Sequence, residues 1–174
     1  QLTKQGISKK KYNNIIGYFG QLYEGRGIEL ISKIAIKLPK DLFLIIGGTV
    51  KDVDENNKKY QSSNLKFISS IPHPEAILMM QSCDILLMPY QEKVSIGQKG
   101  HDTSAWMSPM KMFEYMASSS AIISSDHKVL KEVLRHEENS LITNKYDYND
   151  WVKNIKKLQK DNNLMNKIKL QSYK

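Results

Sequence analysis

Two stretches of this chain each place a cation where a helix is expected to start. The first reads Gly20-Gln21-Leu22-Tyr23-Glu24-Gly25-Arg26-Gly27, between an apolar run and a helical pattern. Glycines let the backbone turn tightly and approach a ligand. The helix behind them offers free N–H groups and a positive dipole end to an anion. A cation at that end is locally unfavourable, so Arg26 there implies a compensating anion. Otherwise the loop is a tight turn with a solvated Arg. The spacing G-x-x-x-x-G-R-G resembles a phosphate-binding P-loop, but Arg26 replaces its Lys and Gly27 stands where a Ser or Thr would hold magnesium. The loop suits phosphate without that metal.

The second stretch runs Ser104-Ala105-Trp106-Met107-Ser108-Pro109-Met110-Lys111-Met112-Phe113-Glu114-Tyr115-Met116-Ala117. Ser108 is a good N-cap and Pro109 a good first helical residue. Lys111 then falls in the first turn, again against the dipole. Two basic helix starts on neighbouring loops could grip a pyrophosphate from both sides. The helical period puts Met110, Phe113 and Ala117 on one face, expected to be core. Glu114 follows them closely and is expected near the buried side, where a carboxylate needs partners. Ligand hydroxyls, as on a ribose, would supply donors; the alternatives are an exposed Glu or one paired with a Lys.

Rival chemistry is weaker. Asp52-Val53-Asp54 matches a D-x-D metal motif, but sits in a polar Asn- and Lys-rich segment and reads as a solvated turn. His73, His101, His127 and His136 lack metal-ligand spacing. No Ser-His-Asp arrangement follows from the residue order. Cys83 precedes an apolar run and reads as core. The long loop 90–107 is functional or disordered on length grounds, and His101 within it could touch a ligand.

The elements that must position these residues alternate along the chain. Short apolar runs at 15–19, 42–47, 65–68, 84–89, 121–124 and 141–143 predict strands buried on both faces. Helical patterns lie at 28–38, 75–82, 109–118, 128–136, 147–160 and 163–171. Strand-helix alternation predicts a parallel α/β sheet with right-handed crossovers. Ligands then sit beyond the carboxyl ends of the strands.

At 174 residues the chain is expected to be one domain, residues 1–174. One cysteine excludes a disulfide framework. The longest apolar run is far too short for a membrane span. The start at Gln1 is polar and basic, which predicts no leader and a cytoplasmic setting, while the missing initiator Met predicts a fragment of a longer protein. The net charge of +8 comes from lysines and only two arginines, Arg26 and Arg135. The lysines gather in the first dozen residues and the last helices without interleaved aromatics. That argues against nucleic acid and for a solvated face with, at most, weak attraction to an anionic membrane surface.

At this point the chain resembles a family. YFGQLYEGRGIELI, FLIIGG, NLKFISSIPHPEAILMMQSCDILLMPY, WMSPMKMFEYMASSSAIISSD and VLKEVLRHEENSLI, in that order, resemble the C-terminal half of GT-B retaining glycosyltransferases of the group 1 family. The resemblance implies a Rossmann-like domain that binds the nucleoside diphosphate of a donor sugar, with no cofactor and no metal. It implies that Arg26 and Lys111 neutralise the diphosphate and that Glu114 binds the ribose hydroxyls. It places backbone near Ile71, Pro72 and His73 against the base. Gly20 and Gly25 would line the donor, and the turn of Trp106, Met107, Ser108 and Pro109 would face diphosphate and sugar. Many members carry two glutamates separated by seven residues; Glu114 is the second, and Trp106 stands at the position of the first. Gln21 replaces a usual Arg or Ser, leaving that loop's charge to Arg26. Gly is absent from 118–120, and Asn139-Ser140 replaces a common Asn-Gly. The implied function is transfer of a sugar from a nucleotide-sugar, with retention, in making a surface polysaccharide or glycolipid. The acceptor would be a saccharide or lipid-linked saccharide, held by a missing N-terminal half, at the inner membrane face. The competing readings are another GT-B enzyme, such as a nucleotide-sugar epimerase, and a non-catalytic nucleotide-binding domain.

Overall fold

Residues 2–91 and 110–174 are described in a computed structural model. Six strands form one parallel sheet: β1 Ile15–Phe19, β2 Leu42–Ile46, β3 Leu65–Ile68, β4 Ile85–Met88, β5 Ala121–Ser125 and β6 Leu141–Thr143. Their order across the sheet is β3-β2-β1-β4-β5-β6. Chain direction along the sheet therefore reverses between β1 and β4, the switch point where ligands of such folds sit. β1 is paired to β2 along its full length, from Ile15 opposite Leu42 to Phe19 opposite Ile46.

The continuous apolarity of the strands has a direct cause. Successive side chains of β1 enter opposite cores: Ile16 and Tyr18 one, Ile15 and Phe19 the other. β2 does the same, with Phe43 and Ile45 against Leu42, Leu44 and Ile46. The first core is covered by α1 (Ile28–Lys37), α5 (Tyr148–Lys160) and α6 (Asn162–Tyr173), through Ile31, Ile34, Trp151, Ile155 and Ile168. The second is covered by α3 (His73–Gln81) and α4 (Met110–Ala117), through Met79, Met80, Met112 and Tyr115. A strand covered on both faces has no side for polar residues. Cys83 is buried in the second core, and burial pushes its thiol well up.

Three local expectations need correction. Asp52-Val53-Asp54 is not a turn but part of α2 (Val50–Lys59). The Thr49 hydroxyl accepts the Asp52 N–H at 3.2 Å, and the Asp52 carboxylate accepts the Thr49 N–H at 2.7 Å. That capping box satisfies helix-end donors which the polar composition of the segment concealed. The stretch 128–136 holds only a 3-10 turn at Leu130–Glu132. Further winding is intercepted by Asn139, whose amide donates to the Val133 carbonyl at 3.1 Å and accepts the Arg135 N–H at 2.7 Å.

The third correction concerns α4. Met110 and Phe113 are 73% and 54% exposed, and Ala117 is exposed as well. The buried pair is Met112 and Tyr115. Tyr115 decides the rotation of the helix: its hydroxyl accepts the buried Phe19 N–H at 2.8 Å, and its ring meets Phe19 edge-on. An otherwise unpaired buried N–H is expensive, so this bond outweighs the apolar face of Met110 and Phe113.

Candidate functional site

The loop after β1 and the segment after β4 meet beyond the switch point. β1 ends on Phe19, and Gly20 then turns with φ of +145°, a conformation that side-chain-bearing residues rarely adopt. A Cβ there would overlap the Lys111 ammonium, so Gly20 is also what lets the lysine approach the loop backbone. Tyr18 donates from its hydroxyl to the Gln21 carbonyl at 2.8 Å, tying down the first bend of the loop. The Gln91 N–H donates to the Gly25 carbonyl at 2.9 Å and fixes its far end. Gly27 caps α1 with φ of +77°, and a Cβ there would meet the Pro89 backbone. Arg26 therefore sits just outside the first turn of α1, and its guanidinium lies 5.4 Å from the Tyr90 ring centre.

Lys111, one residue into the described part of α4, points at the same place. Its Nζ lies 4.5 Å from the Tyr18 ring centre and 5.6 Å from that of Tyr90. Burial pushes this lysine down to about 7, the neighbouring Arg26 charge pushes the same way, and Glu114 opposes both. The structure thus brings Arg26, Lys111 and Gly20 together. Two cations this close in a poorly solvated place are costly to keep charged unless an anion joins them.

Glu114 lies one turn farther along α4. Its Oε1 is 2.9 Å from Nε2 of His73, the first residue of α3. The partner is thus a histidine, whereas the sequence reading weighed ribose hydroxyls or a Lys. The pair is only partly shielded, with the side chains 64% and 33% exposed. Pro72 is the N-cap of α3, and Ile71 packs against the second core. The segment before them is anchored by Ser70, whose N–H and hydroxyl both donate to the Gly48 carbonyl, at 3.0 and 2.9 Å. His73, 41 residues from Glu114 in sequence, thereby arrives beside it. Gly25 lines the opposite side of the loop, in a cleft of about 990 Å³ between α1, α2 and α5. Trp106, Met107, Ser108, Pro109 and His101 lie outside the described residues.

The sequence reading missed the aromatic part of the site. Tyr18 and Tyr90 are buried beside Arg26 and Lys111, and Tyr115 is buried against Phe19 at the end of β1. Burial pushes each phenol up. Alternation within β1 puts Tyr18 on the face of Ile16, in the first core. Among the described residues no three His, Cys, Asp or Glu side chains lie together as metal ligands. No described helix is long and apolar enough to cross a membrane.

The fold recurs in known proteins. An uncharacterized glycosyltransferase of Methanocaldococcus jannaschii is 26% identical over 165 residues, 90% of this chain and 39% of that protein. The chain thus spans about two fifths of that relative's length. The crystal structure of the C-terminal domain of a glycosyl transferase group 1 family protein, LpcC, from Francisella tularensis superposes with a TM-score of 0.73 at 22% identity, covering 98% of this chain and 86% of that one. HepE of Anabaena, solved in complex with UDP-glucose, superposes with a TM-score of 0.74 at 15% identity, over 99% of this chain and 45% of that one. These likenesses establish the Rossmann-like half of a GT-B glycosyltransferase as the fold. The family described as glycosyl transferases group 1 matches residues 1–174, the basic loop after β1 and the Lys111–Glu114 helix included, and the chain belongs to that family.

Proposed function

We propose that this chain is the donor-binding half of a glycosyltransferase that moves a sugar from a nucleotide-sugar to an acceptor with retention, in making a surface polysaccharide or glycolipid. The observation that carries the reading is the meeting of Arg26 and Lys111 over one tyrosine ring at the switch point, beside the His73–Glu114 pair. HepE, of the same fold, binds UDP-glucose, which supports a nucleotide-sugar as the ligand.

The chemistry follows from charge. As the bond between the sugar and the diphosphate breaks, negative charge grows on the leaving oxygen. Cations already aimed at that oxygen stabilise it without reorganising. Arg26 and Lys111 fill this role, and the N-terminus of α1 adds its dipole. No metal is required for it. Glu114, steadied by His73, accepts hydrogen bonds from ribose hydroxyls, while backbone at Ile71 and Pro72 meets the base. Trp106, Met107, Ser108 and Pro109 are assigned to the sugar side. The acceptor, a saccharide or lipid-linked saccharide, belongs to a second domain that closes the cleft from the other side. Exposed lysines such as Lys10 and Lys11 favour weak contact with an anionic membrane surface.

The test is a calorimetric titration of UDP, GDP and ADP, then of their sugars. One of the three diphosphates is expected to bind, and Arg26→Ala and Lys111→Ala are each expected to weaken it about ten- to hundredfold. Binding of none of them, or equal binding by both variants, overturns the reading. With a donor identified, transfer is expected from a protein carrying both halves and not from this chain alone.

A further inference from the structure

Arg26 and Lys111 repel each other, and both stand where a helix dipole is unfavourable to cations. Something other than a ligand must hold them in place before the diphosphate arrives. The described groups around Lys111 are the Tyr18 ring from β1, the Tyr90 ring after β4, the Arg26 guanidinium from the loop and Glu114 from its own helix. Glu114 is hydrogen-bonded to His73. Ring faces lie against both cations as well. Lys111 Nζ at 4.5 and 5.6 Å and Arg26 Cζ at 5.4 Å from ring centres all lie within the range of attraction between a cation and an aromatic face.

The rings themselves are fixed. Tyr18 and Tyr90 are 1% and 2% exposed. Tyr18 is tethered through its hydroxyl to the Gln21 carbonyl. Tyr90 lies under the Arg26 guanidinium. Beside them Tyr115 locks the end of β1 by accepting the Phe19 N–H.

We propose that Tyr18 and Tyr90 form a neutral aromatic platform that holds Arg26 and Lys111 side by side and so presets the diphosphate site. This rests on the donor-binding reading. Neutrality is the point of the device. A carboxylate could hold the same two cations, but it would cancel their charge and repel the incoming diphosphate. A ring face attracts a cation weakly and sets no negative charge against the ligand. The two tyrosines are positioning residues: they act through Arg26 and Lys111 and leave the diphosphate to those cations.

The experiment titrates this chain with inorganic pyrophosphate and with UDP, GDP and ADP. The variants are Tyr90→Leu, Tyr90→Phe, Lys111→Met and the Tyr90→Leu/Lys111→Met pair, each with its melting temperature. Tyr90→Leu is expected to weaken pyrophosphate and nucleoside diphosphate by the same factor, about tenfold, because the platform serves only the charged part of the ligand. Tyr90→Phe, which keeps the ring, is expected to recover most of that loss. In the Lys111→Met background the Leu change is expected to lose much of its effect. Should Tyr90→Leu not fold, Tyr90→Met fills similar space without a ring face and takes its place.

Three results overturn the platform while leaving the donor-binding reading intact. One is parental affinity in Tyr90→Leu. Another is a Phe variant as weak as the Leu variant. The third is an undiminished Leu effect without Lys111. If the parent chain binds neither pyrophosphate nor any of the three diphosphates, the donor-binding reading falls and the platform falls with it.

Discussion

A lysine that ionises near neutrality makes the diphosphate site sensitive to pH. Burial and Arg26 lower Lys111 from 10.5 to about 7 in the folded chain, and an anion bound beside it raises it again. Below pH 7 the lysine is already charged and binding needs no proton. Above pH 7 binding must first protonate it, so affinity is expected to fall by up to about tenfold per pH unit. Titrations from pH 6 to 9 in buffers of different ionisation enthalpy read both the slope and the proton taken up. Lys111→Met should abolish both, and a flat parental profile counts against the assignment. The sign for stability follows from the same shift. Between about 7 and 10.5 the unfolded chain holds the proton that the folded chain has released. This group therefore makes folding more favourable as pH rises through that window. Glu114 predicts a different signature. Its bond to His73 is partly exposed and contributes at most about 1 kcal/mol. Glu114→Gln should hardly change the melting temperature, should weaken nucleoside diphosphate, and should leave pyrophosphate binding alone. Equal loss for both ligands would remove Glu114 from the ribose.

At the scale of elements, α2 shows how a motif can be present without its chemistry. Asp52 of the D-x-D match is tied to Thr49, whose N–H and hydroxyl hold its carboxyl below the usual range. Asp52→Asn is expected to lower stability by about 0.5–1 kcal/mol through the capping box. Asp54→Asn should be neutral, and the double variant should bind nucleoside diphosphate like the parent. A large loss of affinity with unchanged melting temperature would return a metal role to the pair. In α4 the decisive residue is Tyr115. Tyr115→Phe leaves the Phe19 N–H buried without its partner and should cost about 1–3 kcal/mol, seen as a lower melting temperature. The rotation of α4 was not legible from its apolar residues, because Met110, Phe113 and Ala117 satisfy the same period as Met112 and Tyr115. A single backbone hydrogen-bond donor on β1 separates the two arrangements.

For the whole molecule, the sheet order β3-β2-β1-β4-β5-β6 sets the location of the described candidate groups. Loops after neighbouring strands β1 and β4 bring two cations together, while the crossover from β3 carries His73 over the sheet to α4. A site built on two exposed-ligand charges should weaken as salt rises. Added EDTA should not change affinity, since Arg26 and Lys111 supply the positive charge themselves. Loss of binding on chelation would overturn the metal-free reading.

The sequence by itself determined the six strands and most of the helices, because each local run had to satisfy its own period; the polar α2 and the short turn at Leu130–Glu132 were not legible in it. It also determined that Arg26 stands at a helix start, since Gly27 is a local feature. Even Glu114 was legible as a residue in need of a partner. That the partner is His73, that Tyr18 and Tyr90 lie beneath the cations, and that α4 turns Tyr115 inward were decided only by the tertiary structure. These contacts join residues from different βα units, and no periodicity within one unit records which side chain from another unit will face it. Their geometry comes from strand order and from the burial of one N–H group, both of which exist only once the sheet has closed.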